Sequence, residues 1–328
     1  MKYLILMLLS LCSYSIDLSG QIIMPTPGKI ERADGRLRLQ GKIRMYAEES
    51  PGSFIRLFYE KLVPESAMEW CKEEVNSHIY LEKRCTLPAE GYRIRVTPER
   101  IIVRAADDAG FIYAIQSLRQ WNTGEERGLI FPCVEITDFP RVKWRSFMLD
   151  SGRQYQKVST IKKYIDMASM LKMNYFHWHL TEGLGWRIEI KRYPFLTRIG
   201  AFVGQGPEQQ GFYSQEEVKE IIGYAADRGI TVVPEIDMPG HAEAALNAYP
   251  RLGCFNVAVK VPQSGFTQNI FCAGKDSTLI FLKNVLDEVC RMFPSAYIHL
   301  GGDEAPKGNW DKCPDCRSRI EKKTKRQS

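Results

Sequence analysis

From residue 142 onward the chain alternates short apolar runs with amphipathic segments, and this alternation limits the fold more than any other feature. Arg145-Ser-Phe-Met-Leu-Asp150 reads as a buried strand, and residues 158–171 as a helix with one apolar face. Tyr175-Phe-His-Trp-His-Leu-Thr181 is a second strand, followed by a helix over residues 216–228 with Gly229 as its C-terminal stop. Ile230-Thr-Val-Val-Pro-Glu-Ile236 is a third strand, residues 279–293 form the next helix, and residues 296–300 form a fourth strand. Such strand–helix repeats build a parallel sheet covered by helices. The fold class is therefore α/β, and the pattern predicts a (β/α)₈ barrel of the TIM type.

Every predicted strand carries its polar residues at its C-terminal end, which is where such a barrel keeps its chemistry. Asp150 and Arg153 follow the first strand. His177, His179, Thr181 and Glu182 come from the second, Glu235, Asp237 and His241 from the third, and His299, Asp303 and Glu304 from the fourth. Four of the five histidines of the chain fall at these ends, more than core packing accounts for. His177 and His179 are two apart and so share a strand face. That face offers either two metal ligands or a packed, hydrogen-bonded pair. His241 follows Pro239-Gly240, a tight turn able to aim its ring back at a carboxylate. Arg153 offers a guanidinium fork for neighbouring hydroxyls, or a plain salt bridge. Asp303 and Glu304 are adjacent, and adjacent residues on a strand point to opposite faces. They can serve one site only if the strand has ended and Gly301-Gly302 turns the backbone.

Residues 21–140 read differently, as a small α+β domain. Residues 91–97 alternate as a half-buried strand does, and residues 101–105 form its partner after a turn at Glu99-Arg100. Phe111, Ala114, Ile115, Leu118 and Trp121 recur at helical spacing. That spacing favours core packing over a sugar-binding platform for these aromatics. Pro132 and Phe139-Pro140 bracket the change of character between the two regions.

The net charge of +6 is concentrated in one tail. The last twelve residues hold six Lys/Arg and one acid, and the remaining 39 basic and 38 acidic side chains nearly cancel. With no basic face to read phosphates, a nucleic-acid partner is not expected. Met1-Lys2, an apolar run to Leu11 and small polar residues after it match a secretory leader over residues 1–20, with export to the periplasm or beyond. Lipoprotein anchoring at Cys12 is the weaker alternative, because Leu11 is bulky for that position. No later segment has the length and apolarity of an integral membrane span. Among the cysteines, Cys254 and Cys272 flank a polar loop they are able to close. Cys313-Pro-Asp-Cys316 reads as a local disulfide or as half of a zinc site, and no second Cys pair at ribbon spacing accompanies it.

Five runs together resemble one family. They are Trp144-Arg-Ser-Phe-Met-Leu-Asp-Ser-Gly-Arg153, Asn174-Tyr-Phe-His-Trp-His-Leu-Thr181, Gly185-Trp-Arg-Ile-Glu189, Val233-Pro-Glu-Ile-Asp-Met-Pro-Gly-His241 and His299-Leu-Gly-Gly-Asp-Glu304. The chain resembles glycoside hydrolase family 20, the β-N-acetylhexosaminidases, from about residue 21 to residue 320. Residues 91–121 are similar to the accessory domain of that family. The resemblance implies an exo-glycosidase acting on glycans with terminal β-linked N-acetylglucosamine or N-acetylgalactosamine. It implies retention of configuration, with the 2-acetamido oxygen of the substrate as nucleophile. Glu304 then matches the general acid and later base, Asp303 the residue that holds and polarises the acetamido group, and Arg153 the grip on ring hydroxyls. His241, Asp237, Glu182 and His179 match the supporting shell. Neither a metal nor a cofactor is implied.

Two departures from the family pattern stand out. The pattern has an acid pair after His-Leu-Thr, where this chain has Glu182-Gly183, so the acid that orients His241 is a methylene longer. Residues 141–328 are also fewer than the roughly 250 typical of an eight-stranded barrel. The expectation is about the first four β/α units with a basic, aberrant tail, preceded by the accessory domain over residues 21–140. Such a half barrel has an open sheet edge and an uncovered apolar face, which predicts dimerisation or poor solubility. An inactive remnant or a non-catalytic glycan binder is the alternative to the enzyme. A metal-dependent hydrolase built on His177 and His179 is a third reading, which needs ligands from later strands.

Overall fold

The computed structural model describes residues 22–84, 86–124, 128–204, 206–207, 210–259 and 267–324. The leader expected over residues 1–20, with Cys12, lies outside the described residues, as does the end of the basic tail at 325–328.

The N-terminal region is built on one seven-stranded sheet. Its strands are β1 (Lys29–Leu39), β2 (Ile43–Ala47), β3 (Met68–Trp70), β4 (Ile79–Lys83), β5 (Tyr92–Val96), β6 (Ile101–Ala105) and β7 (Leu129–Asp138), in the order β1-β7-β5-β6-β4-β2-β3. The predicted hairpin is present, with β5 and β6 antiparallel from Tyr92↔Ala105 to Val96↔Ile101. Two helices pack on this sheet, α1 (Phe54–Lys61) and α2 (Asp108–Trp121). The side chain of Asp107 caps α2 by accepting the Gly110 N–H at 2.9 Å. Phe111 and Trp121 of α2 are both buried, and Phe111 stacks on Phe54 with ring centroids 4.5 Å apart. The aromatics of α2 are thus core, as their spacing predicts. Pro132 sits inside β7 just beyond the reach of β5, beside a register shift in the β1 pairing. A missing N–H is tolerated there.

The second region begins with β8 (Ser146–Asp150) and α3 (Val158–Met170), and continues with β9 (Tyr175–His179). A short hairpin of β10 (Thr181–Glu182) and β11 (Gly185–Trp186) follows, then α4 (Phe195–Arg198), α5 (Gln215–Ala226) and β12 (Thr231–Glu235). After these come α6 (Glu243–Ala248), α7 (Asp276–Met292), α8 (Gly308–Lys312) and α9 (Pro314–Thr324). The strands β8, β9 and β12 are parallel, in the order β12-β9-β8. The predicted fourth strand is reduced to one parallel bridge, Glu235↔His299, with backbone bonds His299 N–H to Pro234 O at 3.0 Å and Ile236 N–H to His299 O at 3.1 Å. α5 ends at Ala226, and the predicted stop Gly229, with a φ of +71°, lets the chain turn into β12.

One face of this parallel sheet is covered. Phe176, Trp178 and Val232 pack with Ile161 and Ile165 of α3, Val218 and Ile221 of α5, and Val285 and Val289 of α7 in a single core. The other face carries Met148, Asp150, His177 and His179, and Met148 is 52 % exposed. The N-terminal region keeps a separate core of its own.

Buried polar contacts join the two regions. Lys172 Nζ donates to Asp138 Oδ2 at 2.9 Å and to the Tyr92 hydroxyl at 2.8 Å. Arg145 Nη2 donates to Glu90 Oε2 at 2.5 Å, and Arg228 Nη2 donates to both oxygens of Glu60 at 2.7 Å. Gln116 Nε2 donates to Ser169 Oγ at 2.9 Å.

Candidate active site

The strand register sets the site. Asp150, His179, Glu235 and His299 are successive partners across the sheet and form one row at its C-terminal edge. In-register parallel strands of equal length bring their last residues side by side, so four residues far apart in sequence meet.

Glu235 is the hub of this row. Its Oε2 lies 2.7 Å from His177 Nε2 and 2.6 Å from His179 Nδ1, and its Oε1 lies 3.0 Å from His299 Nδ1. Burial works against the charge of Glu235, but the bonds from His177 and His179 and their charge prevail and hold its carboxyl well below the usual range. The buried ring of His179 responds in kind. Desolvation opposes its proton, yet the bond to Glu235 raises its pKa above the ordinary value. Its Nε2 is buried and has no hydrogen-bond partner among the described residues.

A second line of contacts runs along the mouth of the sheet. Arg153 Nη1 donates to Asp150 Oδ2 at 2.6 Å, and its Nη2 lies 3.3 Å from Glu182 Oε1. The other oxygen of Glu182 lies 2.8 Å from His241 Nδ1, an ion-pair contact rather than a well-aligned hydrogen bond. His241 Nε2 in turn lies 3.4 Å from Glu304 Oε2 and 4.0 Å from Asp303 Oδ1. The longer Glu182 therefore does reach the ring it was expected to orient. Its contact raises the His241 pKa to about 9, with burial opposing and the charges of Glu182, Asp237 and Asp303 assisting. The base of the site is polar and buried at Glu182, Glu235, Asp237 and His241, whereas the Asp303 and Glu304 side chains are 70 % and 48 % exposed.

Backbone conformation presents the two carboxylates. Gly301 has a φ of +62°, and a Cβ there would fall 1.9 Å from Asp237 Oδ1. The next amide, Gly302 N–H, donates to that same Oδ1 at 3.1 Å. Asp237 is also fixed from behind, its own N–H donating to Thr181 Oγ1 at 2.8 Å. Burial pushes the Asp237 carboxyl up to about 6, although the Gly302 N–H and His241 pull the other way. His241 and Glu304 themselves sit at φ of +49° and +41°. Left-handed backbone at non-glycine residues is uncommon, and it concentrates where a side chain must be aimed.

All seven sequence-assigned residues thus fall into two touching groups. Arg153, Glu182, His241, Glu304 and Asp303 form the line, while Asp237 and His179 sit beneath it. Glu235, His299 and Asp150 are visible in the sequence as strand-end residues, but the hub role of Glu235 is not, because it depends on register between distant strands. Arg187 has no role assignable from sequence, although it lies in the run Gly185-Trp-Arg-Ile-Glu189. Its fully buried guanidinium donates to the carbonyls of Ser151, Gly152, Leu184, Ala201 and Gly211. Two of those carbonyls belong to the loop that ends in Arg153.

Three groups at the site have ligand atoms within 4.8 Å of one another: His177, Glu235 and His299; His179, Glu235 and Asp237; Asp237, His241 and Asp303. His177 and His179 both turn a nitrogen to one oxygen of Glu235, so the ion-pair network accounts for their orientation without a metal.

Family models cover the chain in two parts. Residues 142–328 match the catalytic domain of glycosyl hydrolase family 20, and residues 21–139 match domain 2 of that family. The chain belongs to glycosyl hydrolase family 20. That membership implies a TIM-barrel catalytic domain with an accessory domain. Among relatives, a β-hexosaminidase of Porphyromonas gingivalis is 41 % identical over 92 % of this chain and 41 % of its own length. One from Vibrio furnissii is 36 % identical over 92 % of this chain and 52 % of its own length. The chain thus spans about half the length of these family members. Among solved structures, a β-N-acetylhexosaminidase from Bacteroides fragilis superposes with a TM-score of 0.89 at 94 % identity, covering 93 % of this chain and 61 % of that one. A family 20 exo-β-N-acetylglucosaminidase from Vibrio harveyi, in complex with N-acetylglucosamine, superposes with a TM-score of 0.82 at 30 % identity over 92 % of this chain and 50 % of that one.

Proposed function

We propose that this chain carries the catalytic residues of an exo-glycosidase that releases terminal β-linked N-acetylglucosamine or N-acetylgalactosamine from glycans. The observation that carries the reading is the continuous line Arg153–Glu182–His241–Glu304 at one end of the parallel sheet, in a family 20 chain. Glu304 is the general acid that protonates the leaving oxygen, then the base that activates water. The 2-acetamido oxygen of the substrate attacks the anomeric carbon, and Asp303 orients that group and stabilises its developing positive charge. Arg153 grips ring hydroxyls. His241, aligned by Glu182, positions Glu304, and Asp237 and His179 brace the shell. On this reading residues 21–140 are the accessory domain, residues 141–328 supply the first four β/α units of the barrel, and residues 1–20 are an export leader. No described helix is long and apolar enough to cross a membrane.

The test is turnover of a chromogenic β-N-acetylglucosaminide by the full chain and by Glu304→Gln. The variant is expected to lose about 10²–10⁴ in rate, the usual contribution of a positioned acid. Equal rates would overturn the assignment. The exposure of Asp303 and Glu304 favours a second reading, in which the chain binds the sugar without turning it over. Saturable N-acetylglucosamine binding with no turnover would select it.

A further inference from the structure

Away from the carboxylates, four thiols converge. Cys254 follows a turn at Pro250–Leu252, and Cys272 adjoins the bridge Gly253↔Phe271. Cys313 ends α8, and Cys316 lies in the first turn of α9. Cys272 Sγ lies 3.5 Å from Cys316 Sγ and 3.8 Å from Cys313 Sγ, and Cys254 Sγ lies 3.9 Å from Cys316 Sγ. All four sulfurs are within 4.8 Å of one another, and none is in a disulfide. Cys272, Cys313 and Cys316 are buried, with Trp310 packed against them.

These distances favour one chemistry. A disulfide joins two sulfurs at about 2.05 Å and leaves other pairs apart. Here Cys272 is shared almost equally between Cys313 and Cys316, so no pairing is marked. Four thiolates around zinc at about 2.3 Å have sulfur–sulfur edges of about 3.8 Å, which the observed spacings straddle. The backbone adds the outer contacts such a centre uses. The N–H groups of Asp315 and Cys316 approach Cys313 Sγ, and that of Gly274 approaches Cys316 Sγ. A Cβ at Gly274 would fall 2.2 Å from Cys316 N, so the Cys313-Pro-Asp-Cys316 turn seats on the Cys272 loop only because residue 274 is glycine.

We propose that Cys254, Cys272, Cys313 and Cys316 form a structural zinc site. Four protein sulfurs close the coordination sphere and leave no position for substrate. Binding releases the thiol protons and joins three chain segments. One is the Phe271 segment, whose N–H donates to Pro239 O at 2.9 Å in the turn that presents His241. Another is α8, which follows the Asp303-Glu304 loop and whose Trp310 Nε1–H donates to Phe271 O at 2.9 Å. The zinc therefore pins the turn that presents His241 and the helix that follows the acidic turn, and its role is positional.

The test uses the full chain, expressed with added zinc and purified without chelator or thiol reductant. Elemental analysis is expected to find about one zinc per chain. Mercurial titration is expected to release that zinc as four thiols react. Reconstitution with cobalt(II) is expected to give intense thiolate-to-metal charge-transfer absorption, which histidine and carboxylate ligands at the Glu235 cluster would not. Cys313→Ser/Cys316→Ser is expected to lower bound zinc at least about tenfold. Loss of all four thiols to disulfides, zinc below about 0.1 per chain, or a cobalt spectrum without charge-transfer bands would each overturn the proposal. The cobalt spectrum of the unmodified chain decides the matter even if the double variant does not fold.

Discussion

Glu182 Oε2 stands 2.8 Å from His241 Nδ1, and this single contact is the largest influence on the charge of the ring. Beside Glu182, the His241 pKa lies near 9 instead of 6.5. Glu182→Gln is expected to return it towards the ordinary histidine value. Nitrogen-detected NMR titration of the imidazole checks this, and an unchanged midpoint would contradict the geometry. The proposed activity should fall in parallel, in kcat because His241 touches Glu304, and in KM because Glu182 also holds Arg153.

A stability profile follows with a definite sign. Folding raises the His241 pKa, so the folded chain binds more protons than the unfolded chain between 6.5 and about 9. The stabilisation is complete below 6.5 and is lost as pH rises through about 9. Asp237, raised from 3.8 to about 6, acts in the same direction at lower pH, its contribution fading as pH rises through that window. Urea midpoints for the native chain should therefore fall between pH 6.5 and 9. His241→Asn should flatten that slope.

Gly301→Ala should disrupt the acidic turn. The added methyl meets Asp237 Oδ1 and the backbone is left-handed, a conformation costing L-residues about 1–2 kcal/mol. Turnover should suffer more than stability, because a shift of about 1 Å in a catalytic group can cost about 10²-fold. Paired measurements of melting temperature and chromogenic rate separate the two effects.

Arg187→Met should destabilise the fold by about 3–5 kcal/mol, because buried carbonyls lose a charged donor and each acceptor left unsatisfied costs about 1–3 kcal/mol. Five carbonyls lose a donor, Ala201 O alone keeping a backbone N–H among the described residues, that of Gly211, and two of the five shape the loop before Arg153. Denaturant unfolding measures the loss. A change within about 0.5 kcal/mol, the range of ordinary surface substitutions, would show that the carbonyls find other partners.

The parallel sheet is legible in the sequence because its strands are short apolar runs closed by polar residues, and the polar ends fall into register. That the seven assigned residues lie near one another is legible for the same reason, whereas their roles come from the family resemblance. What escapes is what depends on pairing between distant segments. Nothing local announces that His177, His179 and His299 converge on Glu235. Cys254 and Cys272 come from separate loops, so Cys313 and Cys316 have no companion pair at recognisable spacing. In the N-terminal sheet, β1 is mostly exposed and its alternation is interrupted between Arg32 and Arg36, so it leaves little periodic trace. The fourth strand is overestimated for a related reason. Residues 296–298 have an apolar pattern, but only His299 has a bridge partner among the described residues.

The ion pairs between the two regions bear on how the chain is made. Glu60, Glu90 and Asp138 leave the ribosome before Arg145, Lys172 and Arg228, the cations that will meet them. Until then the acids remain hydrated on the surface of a region that already has its own core. The early region thus serves as a docking template for the later one. Excising it would take Asp138 from Lys172 and Glu60 from Arg228, leaving Arg228 with Asp166, and would open to water two side chains that are now only 7 % and 2 % exposed. A shortened chain meant to isolate the later region should keep those three acids, or replace the three cations that meet them.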